Sequence, residues 1–217
     1  MWRWSLRSGG MALVLAWAGA GASALGADAP PQPEPPAGEP FLAAFAPDLL
    51  PRLERERFLM LPGDAARPGL AEGLVLFSQP HGQVWQLLAQ TERQREYRPE
   101  LIELTNVERF ANGVVDRHRI RVLFIRLAYH LRYELDPPAW HIAWSLDPHY
   151  ENGIQQITGS WDLYDLRGDR TLGRFGTTVR VGAALPRSLQ DAVTRKNVPE
   201  TLDNVRLWVD SGGEWRP

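Results

Sequence analysis

Along residues 127–136 apolar and polar side chains alternate one by one. Leu127, Tyr129, Leu131, Tyr133 and Leu135 fall on one face, and Ala128, His130, Arg132 and Glu134 on the other. A period of two predicts a strand with one buried and one wet face. Residues 113–124 repeat it, with Arg117, Arg119 and Arg121 opposite His118, Ile120 and Val122. Further strands are predicted over 101–110, 139–146, 154–165 and 171–181, and a short apolar one over 74–77. Turn chemistry separates them. Asn112-Gly113 suits a tight turn with positive φ, and Asp136-Pro137-Pro138, Asn152-Gly153 and Arg167-Gly168-Asp169 are further reversals. Half-buried strands in unbroken succession predict an antiparallel meander.

Other segments change period. Val84, Trp85, Leu87 and Leu88 recur at helical spacing and predict a helix over 82–91, with a second helical turn over 91–97 that Arg98-Pro99 stops. Near the C-terminus Leu189, Val193, Val198, Leu202, Val205 and Val209 form an apolar stripe. That stripe predicts a long helix opened by Pro186, kinked at Pro199 and ended by Ser211-Gly212-Gly213. Residues 41–70 predict a short helix interrupted by Pro47 and Pro51, then a short strand over 57–61. One curved sheet and one long helix bury their apolar faces only if the helix lies across the concave side. The expected fold is therefore α+β: an antiparallel sheet of about six to seven strands wrapped around the C-terminal helix, with a cavity between them.

Composition narrows the chemistry. The chain has 217 residues and no cysteine, which excludes disulfides, a thiol nucleophile and cysteine-ligated metal. Its 24 Lys+Arg against 26 Asp+Glu leave a net charge of −2, without the concentrated positive field of a nucleic-acid binder. The segment 1–27 has basic Arg3 and Arg7, an apolar run from Met11 to Ala18, and small residues at Ala22-Ser23-Ala24. That order predicts a signal peptide and export to the periplasm. The run is shorter than the roughly 20 residues a membrane-spanning helix needs. Residues 28–40 carry six prolines between 30 and 40 and predict an extended, solvated linker. The expected organisation is a signal peptide (1–27), this linker, an N-terminal extension (41–70), the main domain (71–211) and a tail (212–217).

Catalytic signatures are few. No phosphate loop, dinucleotide fingerprint or nucleophile elbow occurs, and the five histidines form no ligand cluster, so neither cofactor nor metal is expected. Asp116 and His118 lie two apart on the apolar side of one strand. They would make an acid/base pair in a cavity, or a satisfied buried polar pair. Tyr129 and Tyr133 could hydrogen-bond a ligand carbonyl or simply pack. Trp140, Trp144 and Trp161 could stack on a planar ring or fill the core. Arg117, Arg119, Arg121 and Arg132 would decorate the outer face, where they suit either an anionic surface or plain solvation.

Four stretches together carry a likeness: QPHGQVWQLLAQTERQREYRPEL (79–101), LRYELDPPAWHIAWSL (131–146), ITGSWDLYDLRGDRTLGRFGTTV (157–179) and LPRSLQDAVTRKNVPETLDNVRLWV (185–209). In order and spacing they resemble the START-type SRPBCC superfamily. Within it they are closest to the polyketide cyclase/dehydrase and coenzyme Q-binding group. The resemblance covers about two-thirds of the chain. It implies the helix-grip fold and a hydrophobic small-molecule ligand such as a lipid, quinone or polyketide, with transient membrane contact. It also admits a cyclase or hydrolase using Asp116, His118 and a tyrosine, or a module that only binds proteins. The residues expected to meet a ligand are Asp116, His118, Ile120, Val122, Tyr129, Leu131, Tyr133, Trp144, Trp161, Phe175, Val193 and Leu202.

Overall fold

Leu70–Phe77 is apolar on both sides because both of its faces are covered. In the computed structural model, which describes residues 33–45, 48–63, 69–122, 125–166, 169–182 and 187–217, this strand (β2) lies inside a sheet with a core on each side. Two short helices, α1 (Gly38–Phe45) and α2 (Leu49–Glu56), and the edge strand β1 (Phe58–Met60) precede it. After it come α3 (His81–Leu88), a 3-10 helix (Thr91–Glu96) and β3 (Leu101–Phe110). Then follow β4 (Gly113–Val122), β5 (Ile125–Asp136), β6 (His141–Leu146), β7 (Gln156–Leu166), β8 (Arg170–Arg180) and α4 (Arg187–Asp210). The signal-peptide segment lies outside the described residues, as do Pro186 and Arg167-Gly168.

The strands form one antiparallel sheet in the order β1-β2-β8-β7-β6-β5-β4-β3. It has eight strands among the described residues, more than the six to seven expected, because the chain before residue 71 contributes β1. The meander β3 to β8 follows the alternation. Asn112-Gly113 does reverse the chain, but neither residue has positive φ. Gly113 is required there by close approach, since a Cβ would stand 2.0 Å from the Tyr133 carbonyl oxygen. Asp136-Pro137-Pro138 opens a 3-10 turn whose Asp136 carboxylate accepts from the Ala139 amide at 3.4 Å, and β6 starts only at His141.

On the concave face α3 and α4 close over the main core, where Phe77, Trp85, Leu163, Val205 and Trp208 are buried. The C-terminal half of α4 is pinned. Asp210 Oδ1 accepts from the Ser78 amide at 2.7 Å, and Trp208 Nε1 donates to Glu96 at 2.9 Å. Pro199 sits inside the continuous helix. On the convex face α1 and α2 cover β1, β2 and β8 through a second core of Leu42, Leu49, Leu53, Leu59, Leu74 and Leu172. Gly38–Phe45 and Leu49–Glu56 are therefore two helices docked on the sheet, and Pro47 lies outside the described residues. Leu53 is fully buried in that core. Leu53→Ala should lower unfolding stability by about 3 kcal/mol, read from the denaturant midpoint. No change would mean that this layer contributes nothing to the cooperative unit.

Among the described residues of the proline-rich stretch, only 33–37 are the expected non-helical linker, and they are not solvated throughout. Gly38–Pro40 instead open α1, where a proline in the first turn has no helix hydrogen bond to lose. Pro35 is buried, Ala37 bridges Asp165 in parallel, and the Asp165 amide donates to the Pro36 carbonyl at 2.9 Å. Trp140 Nε1 donates to the Pro33 carbonyl at 2.5 Å, and His81 packs edge-on to Trp140 at 4.8 Å between the carboxylates of Glu34 and Asp165. Carbonyls bonded by neighbouring donors let a proline segment dock without amides of its own.

Candidate functional site

The sheet curves away from α4 and leaves a cavity of about 220 Å³ between them. Ile120, Leu127, Tyr129, Leu131, Tyr133, Ile142, Trp144, Ile157, Trp161 and Phe175 line its sheet side. Leu88, Gln94, Tyr97, Arg98 and Glu100 line one flank, and Val198, Thr201 and Val205 of α4 the roof. Ile142, Leu131 and Tyr133 at the inner end are buried. Partial exposure is kept by Ile125, Val179, Val181, Asn197 and Val198, where β4 and β8 end and β5 begins. That end is the mouth.

Seven of the residues expected to meet a ligand line this cavity: Ile120, Tyr129, Leu131, Tyr133, Trp144, Trp161 and Phe175. Gly159 explains the placement of Trp144. A Cβ on Gly159 would stand 2.4 Å from the Trp144 ring, so the indole lies in the notch that the glycine leaves. The Gly159-Ser160-Trp161 motif thus sets two walls of the cavity.

Asp116, His118 and Leu202 do not reach it. Asp116 is fully buried elsewhere, accepting from Thr91 Oγ1 at 2.5 Å and Asn106 Nδ2 at 3.1 Å. Burial raises its carboxyl above the usual range, against the pull of those two hydrogen bonds. His118 is fully buried behind the tyrosines, stacked on Tyr129 at 5.2 Å. The expected Asp116–His118 pair therefore does not form at the cavity surface. Leu202 is turned toward β2 and packs over Gly73. Trp140 stands at the far end of the strands on the proline segment, not on the cavity. The side chains of Val122 and Val193 lie outside the described residues.

A polar cluster that the pattern did not single out occupies the flank. Arg98 Nε donates to Glu100 at 2.8 Å, Arg98 Nη1 to Gln94 Oε1 at 3.0 Å, and Gln94 Nε2 to the Tyr133 hydroxyl at 2.9 Å. The Tyr133 hydroxyl lies 3.5 Å from His118 Nε2, and His118 Nδ1 has no hydrogen-bond partner among the described residues. Burial opposes the charge on Arg98, but the Glu100 carboxylate, by its charge and its hydrogen bond, offsets it, so the guanidinium stays charged. Burial, helped by Arg98 and His130, holds His118 well below its ordinary value, so it is neutral. Burial raises both Tyr129 and Tyr133, so their hydroxyls keep their protons. The flank thus offers a guanidinium already paired with the Glu100 carboxylate, the Gln94 amide and two neutral hydroxyls to a largely apolar space. The only sequence signal was a charged pair flanking Pro99, which looks like a helix stop.

A sheet gripping a C-terminal helix around an apolar cavity with one polar flank is the helix-grip, or START-type, arrangement. The chain is similar in structure to three solved proteins in particular. One is the Zhui aromatase/cyclase from Streptomyces sp. R1128, at 20% identity over 65% of this chain and 93% of that one, with a TM-score of 0.58. A second is a START superfamily protein from Mycobacterium smegmatis, at 12% identity over 65% and 97%, with a TM-score of 0.56. The third is a STAR-related lipid transfer protein from Xanthomonas axonopodis, at 14% identity over 70% and 98%, with a TM-score of 0.54. The sequence matches no family model and no curated protein. The fold is START/SRPBCC-type, as the sequence motifs implied.

Proposed function

We propose that the protein binds a hydrophobic small molecule, of the lipid, quinone or polyketide-like kind, between its sheet and α4. The observation that carries this reading is the cavity of about 220 Å³ with apolar walls and a single charged flank. A cavity of ~150 Å³ with apolar walls already holds benzene in another protein, so a ring or chain has room here. The apolar body would bury against Leu131, Trp144 and Phe175, and a carbonyl or anionic head would turn to Arg98. Access would come from movement of the N-terminal part of α4 about Pro199, whose missing amide removes one helix hydrogen bond. The leader-like residues 1–27 support export, with the ligand met in the periplasm.

The test is native mass spectrometry with lipid extraction, on protein made with its leader and purified from the exported fraction. A stoichiometric co-purifying lipid or quinone is the expected result. A clean apo mass, with no uptake from a lipid and quinone panel, would overturn it. Arg98→Met should weaken binding of the identified ligand by about 10-fold or more, the effect of one charge-assisted hydrogen bond.

A further inference from the structure

Three arginines stand on the outer lip of the mouth. Arg121 is the penultimate residue of β4, Arg126 the second of β5 and Arg180 the last of β8, and all three are exposed. The register sets Arg121 directly opposite Arg126. Two like charges in direct cross-strand pairing disfavour the fold. None of the three has an ion-pair partner among the described residues. Farther along β4 the case differs: Arg119 meets Glu103 at 2.6 Å and Arg117 meets it at 3.9 Å. Glu100 is the acidic residue beside the group, its carbonyl accepting from the Arg121 amide at 2.8 Å, but its carboxylate is held by Arg98 at 2.8 Å, and Glu151 is exposed in the connection between β6 and β7. The chain as a whole is net negative, so the mouth opposes the overall sign.

Strand alternation directs these side chains away from the cavity. Ile120 and Ile125 line it, while Arg121 and Arg126 occupy the opposite face. They are therefore not aimed at a ligand inside. Their partner must be external, anionic and broad enough to meet the lip from β4 to β8. The half-exposed apolar residues Ile125, Val181 and Val198 lie beside them at the opening. Basic side chains around an apolar rim match an anionic lipid bilayer, which attracts the charges and accepts the rim. We infer that the mouth of the cavity docks on an anionic membrane through Arg121, Arg126 and Arg180. The inference rests on the cavity reading, since the docked face is the one through which an apolar ligand would pass between bilayer and protein.

The test is flotation of the full chain with vesicles of phosphatidylcholine alone, or of phosphatidylcholine and phosphatidylglycerol in equal parts, at low salt. The protein should float with the second and not the first, and release as salt is added. Arg121→Gln, Arg126→Gln and Arg180→Gln should each lower partitioning about fivefold, and the triple variant about 100-fold. The corresponding triple lysine variant should keep it. Arg109→Gln removes the same charge from the far end of β3 and should leave it unchanged. Failure of the unaltered chain to float, a triple glutamine variant that floats normally, or an equal loss in Arg109→Gln would each overturn the inference. Native mass spectrometry of the triple glutamine variant separates the two readings. Ligand retained with docking lost is the expected outcome, whereas docking retained by a chain that never holds ligand would overturn only the cavity reading.

Discussion

Lowering the pH from 7 to 5 should cost this protein about 2 kcal/mol of unfolding stability through His118 alone. The residue is fully buried and neutral in the folded state, held so by burial and by the charge of Arg98. Below about pH 6.5 the unfolded chain binds a proton at this position that the folded chain does not. Stability therefore falls as pH falls, by up to about 1.4 kcal/mol per pH unit while the folded imidazole stays neutral. His118→Gln removes that difference in proton uptake. It will be less stable at pH 7, because the stack on Tyr129 is lost, but its curve should be flatter. The gap between the two proteins, from urea melts across this range, should narrow by about 2 kcal/mol. Parallel curves would mean that the folded histidine titrates like the unfolded one.

Gly159→Val should be the most damaging single substitution at the cavity. Its Cβ would lie 2.4 Å from the Trp144 ring and 2.5 Å from the Gly176 carbonyl oxygen. The backbone of a central strand yields little, so the indole must move, and the space it moves into is the cavity. Overpacking of this kind costs about 3 kcal/mol or more when backbone is one of the clashing partners. The expected result is a matching fall in denaturant midpoint together with loss of ligand uptake. Gly176→Ala is the contrasting case. Its Cβ meets only Glu72 Cγ at 3.8 Å on the outer side, so uptake should be retained. Normal uptake by Gly159→Val would show that Trp144 does not bound the ligand space.

What the sequence disclosed follows from which forces are local. Alternation in β4 and β5 reports a buried and a wet face directly, so Tyr129, Leu131 and Tyr133 were assignable to the inside. Alternation says nothing of depth, and so could not show that His118 stands behind the tyrosine rings while Tyr129 faces the cavity. β2 was read as only four residues because two cores erase its alternation. The proline segment has no periodicity, and its docking depends on Trp140 and Asp165, more than a hundred residues away in the chain. Arg98 and Glu100 escaped notice for the same reason. Beside Pro99 they look like punctuation, and only the return of β5 beneath them makes them the charged flank of a site.

The docked proline segment also fixes how the molecule can be held. Its bonds to Trp140 and Asp165 lie at the end of the strands opposite the mouth. Asp165 and Gln156 stand near the two ends of β7, about 30 Å apart at the rise of an extended strand. A handle placed just ahead of Pro33 therefore leaves the protein from its closed end. On a sensor chip coupled through that handle, the opening would point into the flowing solution, free to meet vesicles or dissolved ligand. A handle on the N-terminal part of α4 would instead press the opening toward the chip.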